Sequence, residues 1–143
     1  MSIGAGPDTT AHRFNWLVSN FVRGTAGVRD AVAVSSDGML IATSAGLARA
    51  EADHLAAIVS GLTSLARSAS RRYEFAGLKL IMIEMTSGFL IVSAFGGGTC
   101  LGVLADGGAD VALIGYEIAL LGERVGDLLT PALIAESRRV LPA

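Results

Sequence analysis

At 143 residues the chain has the length of one compact domain, and with 11 basic against 13 acidic residues its formal net charge of −2 leaves no Lys/Arg cluster fit to neutralise phosphates, so nucleic acid is not an expected partner. Apolar residues make up 52% and charged ones only 17%, which is more apolar surface than one small core consumes and points to a partner surface. The single cysteine, Cys100, permits no intramolecular disulfide and no cysteine-based zinc site, and implies a reducing compartment.

Residues 1–10, MSIGAGPDTT, lack the basic start and apolar stretch of a secretory signal and read as a flexible lead-in, so a cytoplasmic location is expected. Phe14, Leu17, Val18, Phe21 and Val22 then recur at helical spacing, with Thr9 or Thr10 as cap and a stop near Gly24. Trp16 falls opposite that stripe and is a candidate anchor for a partner. Val28 to Ser35 and Met39 to Ser44 are apolar runs separated by Ser36-Asp37-Gly38, which predicts a hairpin.

The longest periodic segment runs from about Ala50 to Arg72, with Leu55, Ile58, Val59, Leu62, Leu65, Ala66 and Ala69 as one broad stripe against a sheet. Its neighbouring face carries Ala57, Gly61, Ser64 and Ser68, a column of small residues that allows another backbone to approach closely.

Leu78 to Met85 reads as a strand, followed by Phe89 to Phe95 and Cys100 to Ala105. A mean hydropathy of +0.57 prompts a membrane test, and Met85 to Ala105 is a 21-residue stretch without a charge. Thr86-Ser87-Gly88 and Gly96-Gly97-Gly98-Thr99 interrupt it with turn signals, which suit a β-meander and not a spanning helix. Asp110 is placed to cap a third helix through Ala112, Ile114, Ile118, Leu121 and Arg124. Thr130-Pro131 could open a short terminal helix ending near Leu141. The order helix, two strands, helix, three strands, helix predicts an α+β sandwich with mostly antiparallel strands, occupying 11–126 between the lead-in and a tail at 127–143.

Catalytic signals are weak. Gly96-Gly97-Gly98-Thr99 has no lysine and opens no helix, so a hairpin turn is a better reading than a phosphate loop. Cys100 sits in an apolar strand, where a thiol is usually inert, and His12 and His54 lack ligand-spaced companions. Asp106 and Asp110 fall short of a calcium pattern and suit a turn and a helix cap. No cofactor or metal is called for by these residues.

The stretches FNWLVSNFVRGTAGVRDAVAVSSDGMLIATS at 14–44, DHLAAIVSGLTSLARSAS at 53–70 and CLGVLADGGADVALIGYEIALLGERVG at 100–126 resemble the bacterial roadblock family, related to dynein light chains, and its actinomycete conservon members in particular. The resemblance implies a five-stranded antiparallel sheet with one helix on one face and two on the other. It also implies a homodimer of paired third strands and second helices, acting non-catalytically on a Ras-like small GTPase near the membrane beside a sensor-kinase-like protein. Activation of hydrolysis, exchange and pure scaffolding all stay open.

On that basis the expected dimer surface comprises Ala57, Gly61, Ser64 and Ser68 with Leu78, Leu80 and Met82 of the edge strand. The expected partner surface comprises His54, Arg67, Arg71 and Trp16, since on a helical wheel His54, Arg67 and Arg71 lie away from Leu55, Val59 and Leu62. The alternative is a small-molecule sensor domain, which would need polar residues inside its core; the strands offer mainly Val, Ile, Leu, Met and Ala.

Overall fold

The structure, a computed structural model, describes residues 10–129 together with 132, 135 and 141. The capping side chains of Thr9 and Thr10, the lead-in at 1–9 and most of the expected terminal helix after Thr130 lie outside the described residues. In chain order the elements are α1 (Thr10–Gly24), β1 (Val28–Val34), β2 (Leu40–Thr43), α2 (Arg49–Arg72), β3 (Leu80–Met85), β4 (Gly88–Ala94), β5 (Cys100–Asp106) and α3 (Val111–Val125). The expected order and the α+β sandwich are thus what the chain forms.

The five strands make one antiparallel sheet in the order β2-β1-β5-β4-β3. Each face carries its own core. Phe14, Leu17, Val18 and Phe21 of α1 and Ile114, Ile118, Leu121 and Val125 of α3 pack with Ala31, Ala33, Ile91, Leu101 and Val103. On the opposite face Ala52, Leu55, Ala56 and Val59 of α2 pack with Val32, Val34, Leu90, Val92 and Cys100. Because side chains alternate along a strand, neighbouring residues of β1, β4 and β5 serve opposite cores, which explains the uninterrupted apolar runs Ala31–Val34 and Phe89–Val92.

The turns follow local chemistry. At Gly38, where φ is +85°, the β1–β2 turn needs a left-handed residue, and Gly38 N–H donates to Ser35 O at 3.0 Å. The Ser35 hydroxyl also donates to Asp37 Oδ1. Asp110 caps α3 by accepting from Leu113 N at 3.1 Å. The uncharged 85–105 stretch is the β4–β5 meander, turned by a short 3-10 segment at Gly96–Gly98. Among the described residues no helix is long and apolar enough to cross a membrane.

The two sheet edges differ. β2 has four residues, its pairing with β1 shifts between Ala33 and Val34, and its Thr43 N–H donates to Asn15 Oδ1 of α1 at 3.1 Å. It is short, bulged and capped, as protected edges are. β3 runs six residues in unbroken register with β4, from Leu80 opposite Ser93 to Met85 opposite Gly88, and exposes Leu80, Met82 and Met85.

Candidate interaction surface

α2 positions the first part of the surface. Its buried residues are Ala52, Leu55, Ala56, Val59 and Thr63, an arc centred opposite the column Ala57, Gly61, Ser64 and Ser68 at 100° per residue. All four column residues are exposed. A methyl group built at Gly61 would meet nothing within 4 Å. Packing within the chain therefore does not require a glycine in this helix interior, where it costs about 0.8–1 kcal/mol relative to alanine.

The apolar stripe is wider than the buried arc. Ile58 and Leu65, expected against the sheet, are exposed at 42% and 73%, and Ala69 is exposed as well. Angular position accounts for this: at 100° per residue Ile58 and Leu65 lie well over 100° from the centre of the arc Ala52, Leu55, Ala56, Val59 and Thr63 that faces the sheet. Ile58 and Leu65 flank Leu62 at helical spacing, and Leu62 packs in the same cluster as Ile81 and Ile83 of β3. An apolar band thus runs from the outer flank of α2 to the β3 edge.

The edge strand begins at Leu80, two residues later than expected, because Glu74, Ala76 and Gly77 hold left-handed φ values of 58°, 68° and 120° and delay the chain's entry into the sheet. Leu78 is half-buried in that lead-in, outside the strand. Leu80 and Met82 project from the α1/α3 face, opposite Ser93 and Ile91, while Ile81 and Ile83 project from the α2 face.

The expected partner residues do not form one group. His54 and Arg71 are exposed on α2. Arg67 instead turns to the sheet, where its Nη2 donates to Gly98 O at 3.1 Å and lies 3.3 Å from Cys100 Sγ. Arg67 fastens α2 to the β4–β5 turn, a contact 31 residues away in sequence that a helical wheel cannot show. Trp16 is 57% exposed, as its wheel position predicts. It lies on α1 in a groove with His12, Asn15, Ser19, Arg23, Thr43 and Ser44, beside the β2 edge and so across the sheet from β3.

Cys100 is only 2% exposed. Burial pushes its thiol pKa up, and the Arg67 guanidinium opposes this in part through charge and hydrogen bonding. Its polar partner is that arginine and not a histidine. In the Gly96–Gly98 turn a side chain at Gly98 would collide with Ser36 Cβ at 2.8 Å, so close packing between turns explains this glycine. Among the described residues no group of three or more His, Cys, Asp or Glu side chains is placed to hold a metal ion.

Fold and surface together define an α+β sandwich whose distinguishing features are an apolar helix flank and an open sheet edge. The Roadblock/LC7 domain model matches residues 14–105. A Roadblock/LC7 domain from Streptomyces avermitilis is 41% identical, with a TM-score of 0.76 over 80% of this chain and 96% of that one. MglB of Myxococcus xanthus is 14% identical, with a TM-score of 0.74 over 81% of this chain and 94% of its own. An MglB described as having a tetrameric arrangement is 15% identical, with a TM-score of 0.74 over 94% and 96% of the two chains. A search of curated proteins gives no match. The chain belongs to the Roadblock/LC7 family.

Proposed function

We propose that the protein is a non-catalytic homodimeric regulator or scaffold of a Ras-like small GTPase, with the outer face of α2 and the β3 edge as the dimer surface. The carrying observation is Gly61, a helix-interior glycine with nothing near it in the chain, at the centre of a column of small residues beside an exposed apolar band. Pairing of β3 with its copy would satisfy both rows of backbone groups, and close approach of the two α2 helices would cover Ile58 and Leu65. Family membership and the MglB likeness support this reading, the latter through fold alone.

Arg71 is the α2 position left for the GTPase, with Arg67 bracing that helix. His54 falls beside Gly61 and Leu65 on the helical wheel, inside the dimer face, and Trp16, across the sheet, is a separate candidate contact. An isologous dimer presents each contact twice. Sedimentation velocity at micromolar concentration should find a dimer, and calorimetry should show binding of a Ras-like small GTPase from the same organism. Arg71→Glu should leave the dimer intact and weaken GTPase binding at least about tenfold, or 1.4 kcal/mol. A stable monomer, or unchanged GTPase affinity in Arg71→Glu, refutes the corresponding part. The small-molecule reading fares less well, because the residues pointing inward from β1, β4 and β5 are apolar and packed. Native mass spectrometry that found a co-purified ligand would restore it.

A further inference from the structure

The α2–β3 connection is unlike a solvated loop. Every residue from Arg71 to Gly77 is exposed, yet the run is Arg-Arg-Tyr-Glu-Phe-Ala-Gly, with two aromatics at its centre. Tyr73 is 64% and Phe75 74% exposed. Their rings sit 6.1 Å apart at a tilt of 37°, touching each other and not the core. Between and after them, Glu74 and Ala76 adopt left-handed φ values of 58° and 68°, which residues other than glycine adopt at a cost. A loop whose only task was to join a helix to a strand would place polar residues and glycines here.

Charge is concentrated at the same end. Residues 67–79 hold Arg67, Arg71, Arg72 and Lys79 against Glu74, a net of +3, so the rest of a chain whose total is −2 carries −5. Arg71 and Arg72 also suit the negative end of the α2 dipole. That role explains neither Lys79, which lies beyond the helix, nor the two rings. A molecule with this asymmetry presents one end to a negatively charged plane. Exposed aromatic rings flanked by guanidinium groups match the headgroup layer of a bilayer, where tyrosine and phenylalanine bury their rings and bases meet anionic lipid.

We propose that the Arg72–Lys79 segment is a membrane-surface contact, with Tyr73 and Phe75 entering the headgroup region and Arg72 and Lys79 held by anionic phospholipid. The full chain alone, without any GTPase, is mixed with vesicles of phosphatidylcholine or of phosphatidylcholine with phosphatidylglycerol, and co-sedimentation is measured. Binding is expected only with phosphatidylglycerol and should fall as salt is raised. Tyr73→Ser with Phe75→Ser, and separately Arg72→Glu with Lys79→Glu, should each lower partitioning at least about tenfold, with circular dichroism confirming the fold. Phe75→Trp in vesicles carrying brominated acyl chains should be quenched beyond the Trp16 background of the parent. Failure of the parent to bind anionic vesicles, or partitioning by either double variant equal to that of the parent, overturns the proposal. Because Arg71 is untouched, GTPase binding by these variants stays a separate readout.

Discussion

Replacing Gly61 by leucine separates what the chain needs from what a partner copy needs, because the two effects have opposite signs. Within the chain, a Cβ at position 61 meets nothing within 4 Å, and exchanging a helix-interior glycine for leucine improves helix propensity by roughly 0.8 kcal/mol. The isolated chain should therefore resist urea better than the parent, by an amount of that order. In the proposed dimer the added side chain enters the space between two α2 helices. Overpacking costs about 1–3 kcal/mol at each site, and a two-fold axis makes it occur twice. A total of about 2 kcal/mol or more would raise the dimer Kd about thirtyfold. Sedimentation equilibrium gives the Kd, and urea titration below it gives monomer stability free of the concentration effect that association introduces. A more stable chain with unchanged dimer affinity would show that the small-residue column faces only water.

Three further outcomes test the core and caps. In Gly102→Ala the new Cβ would lie 2.5 Å from Val59 Cγ2, a fully buried side chain, and urea denaturation should show a loss of about 1–3 kcal/mol. In Asp110→Ala the N-cap bond to Leu113 N disappears, and the same assay should show a loss of about 1 kcal/mol. For Cys100, burial raises the folded thiol pKa above its unfolded value. As pH rises above the ordinary thiol range, near about 8.5, the unfolded chain loses a proton that the folded chain keeps. The stability this contributes is complete below the unfolded pKa and falls as pH climbs toward the folded one. Urea midpoints of the parent should drop over that alkaline window more than those of Cys100→Ala, and iodoacetamide should label the native thiol far more slowly than the unfolded one. Equal pH slopes in the two proteins would show that the thiol ionises freely in the fold.

Periodicity made the elements legible in the sequence, because each strand and helix has its own repeat and is bounded by glycine, serine or aspartate. Ser36-Asp37-Gly38 and Asp110 could be placed from local chemistry alone, since the bonds they make reach no farther than four residues. What depends on distance through the fold was not legible. Arg67 falls on the outer flank of a wheel, yet its long side chain reaches back to Gly98 and Cys100, and nothing in its neighbours' spacing reports where the β4–β5 turn lies. Nor could the spacing of Tyr73 and Phe75 show that both rings face solvent, because that follows from the left-handed turn after the helix.

The most informative error in the sequence reading is the breadth of the α2 stripe. A period of 3.6 residues identifies which side chains are apolar, but not which of them the sheet reaches. Ile58 and Leu65 belong to the apolar set by composition and to the exposed set by geometry. The difference between the two sets is the part of the stripe that folding of one chain leaves unused. It adjoins Gly61, whose missing side chain the chain does not need, and Leu62, whose cluster includes the β3 residues Ile81 and Ile83. Three departures from single-chain economy thus meet at one side of the fold: a glycine inside a helix, large apolar side chains in water, and an edge strand of regular register with an unpaired row of backbone groups. Each costs stability in the monomer, and one interface across α2 and β3 would offset all three. An open surface maintained for solvation alone would require three unrelated explanations.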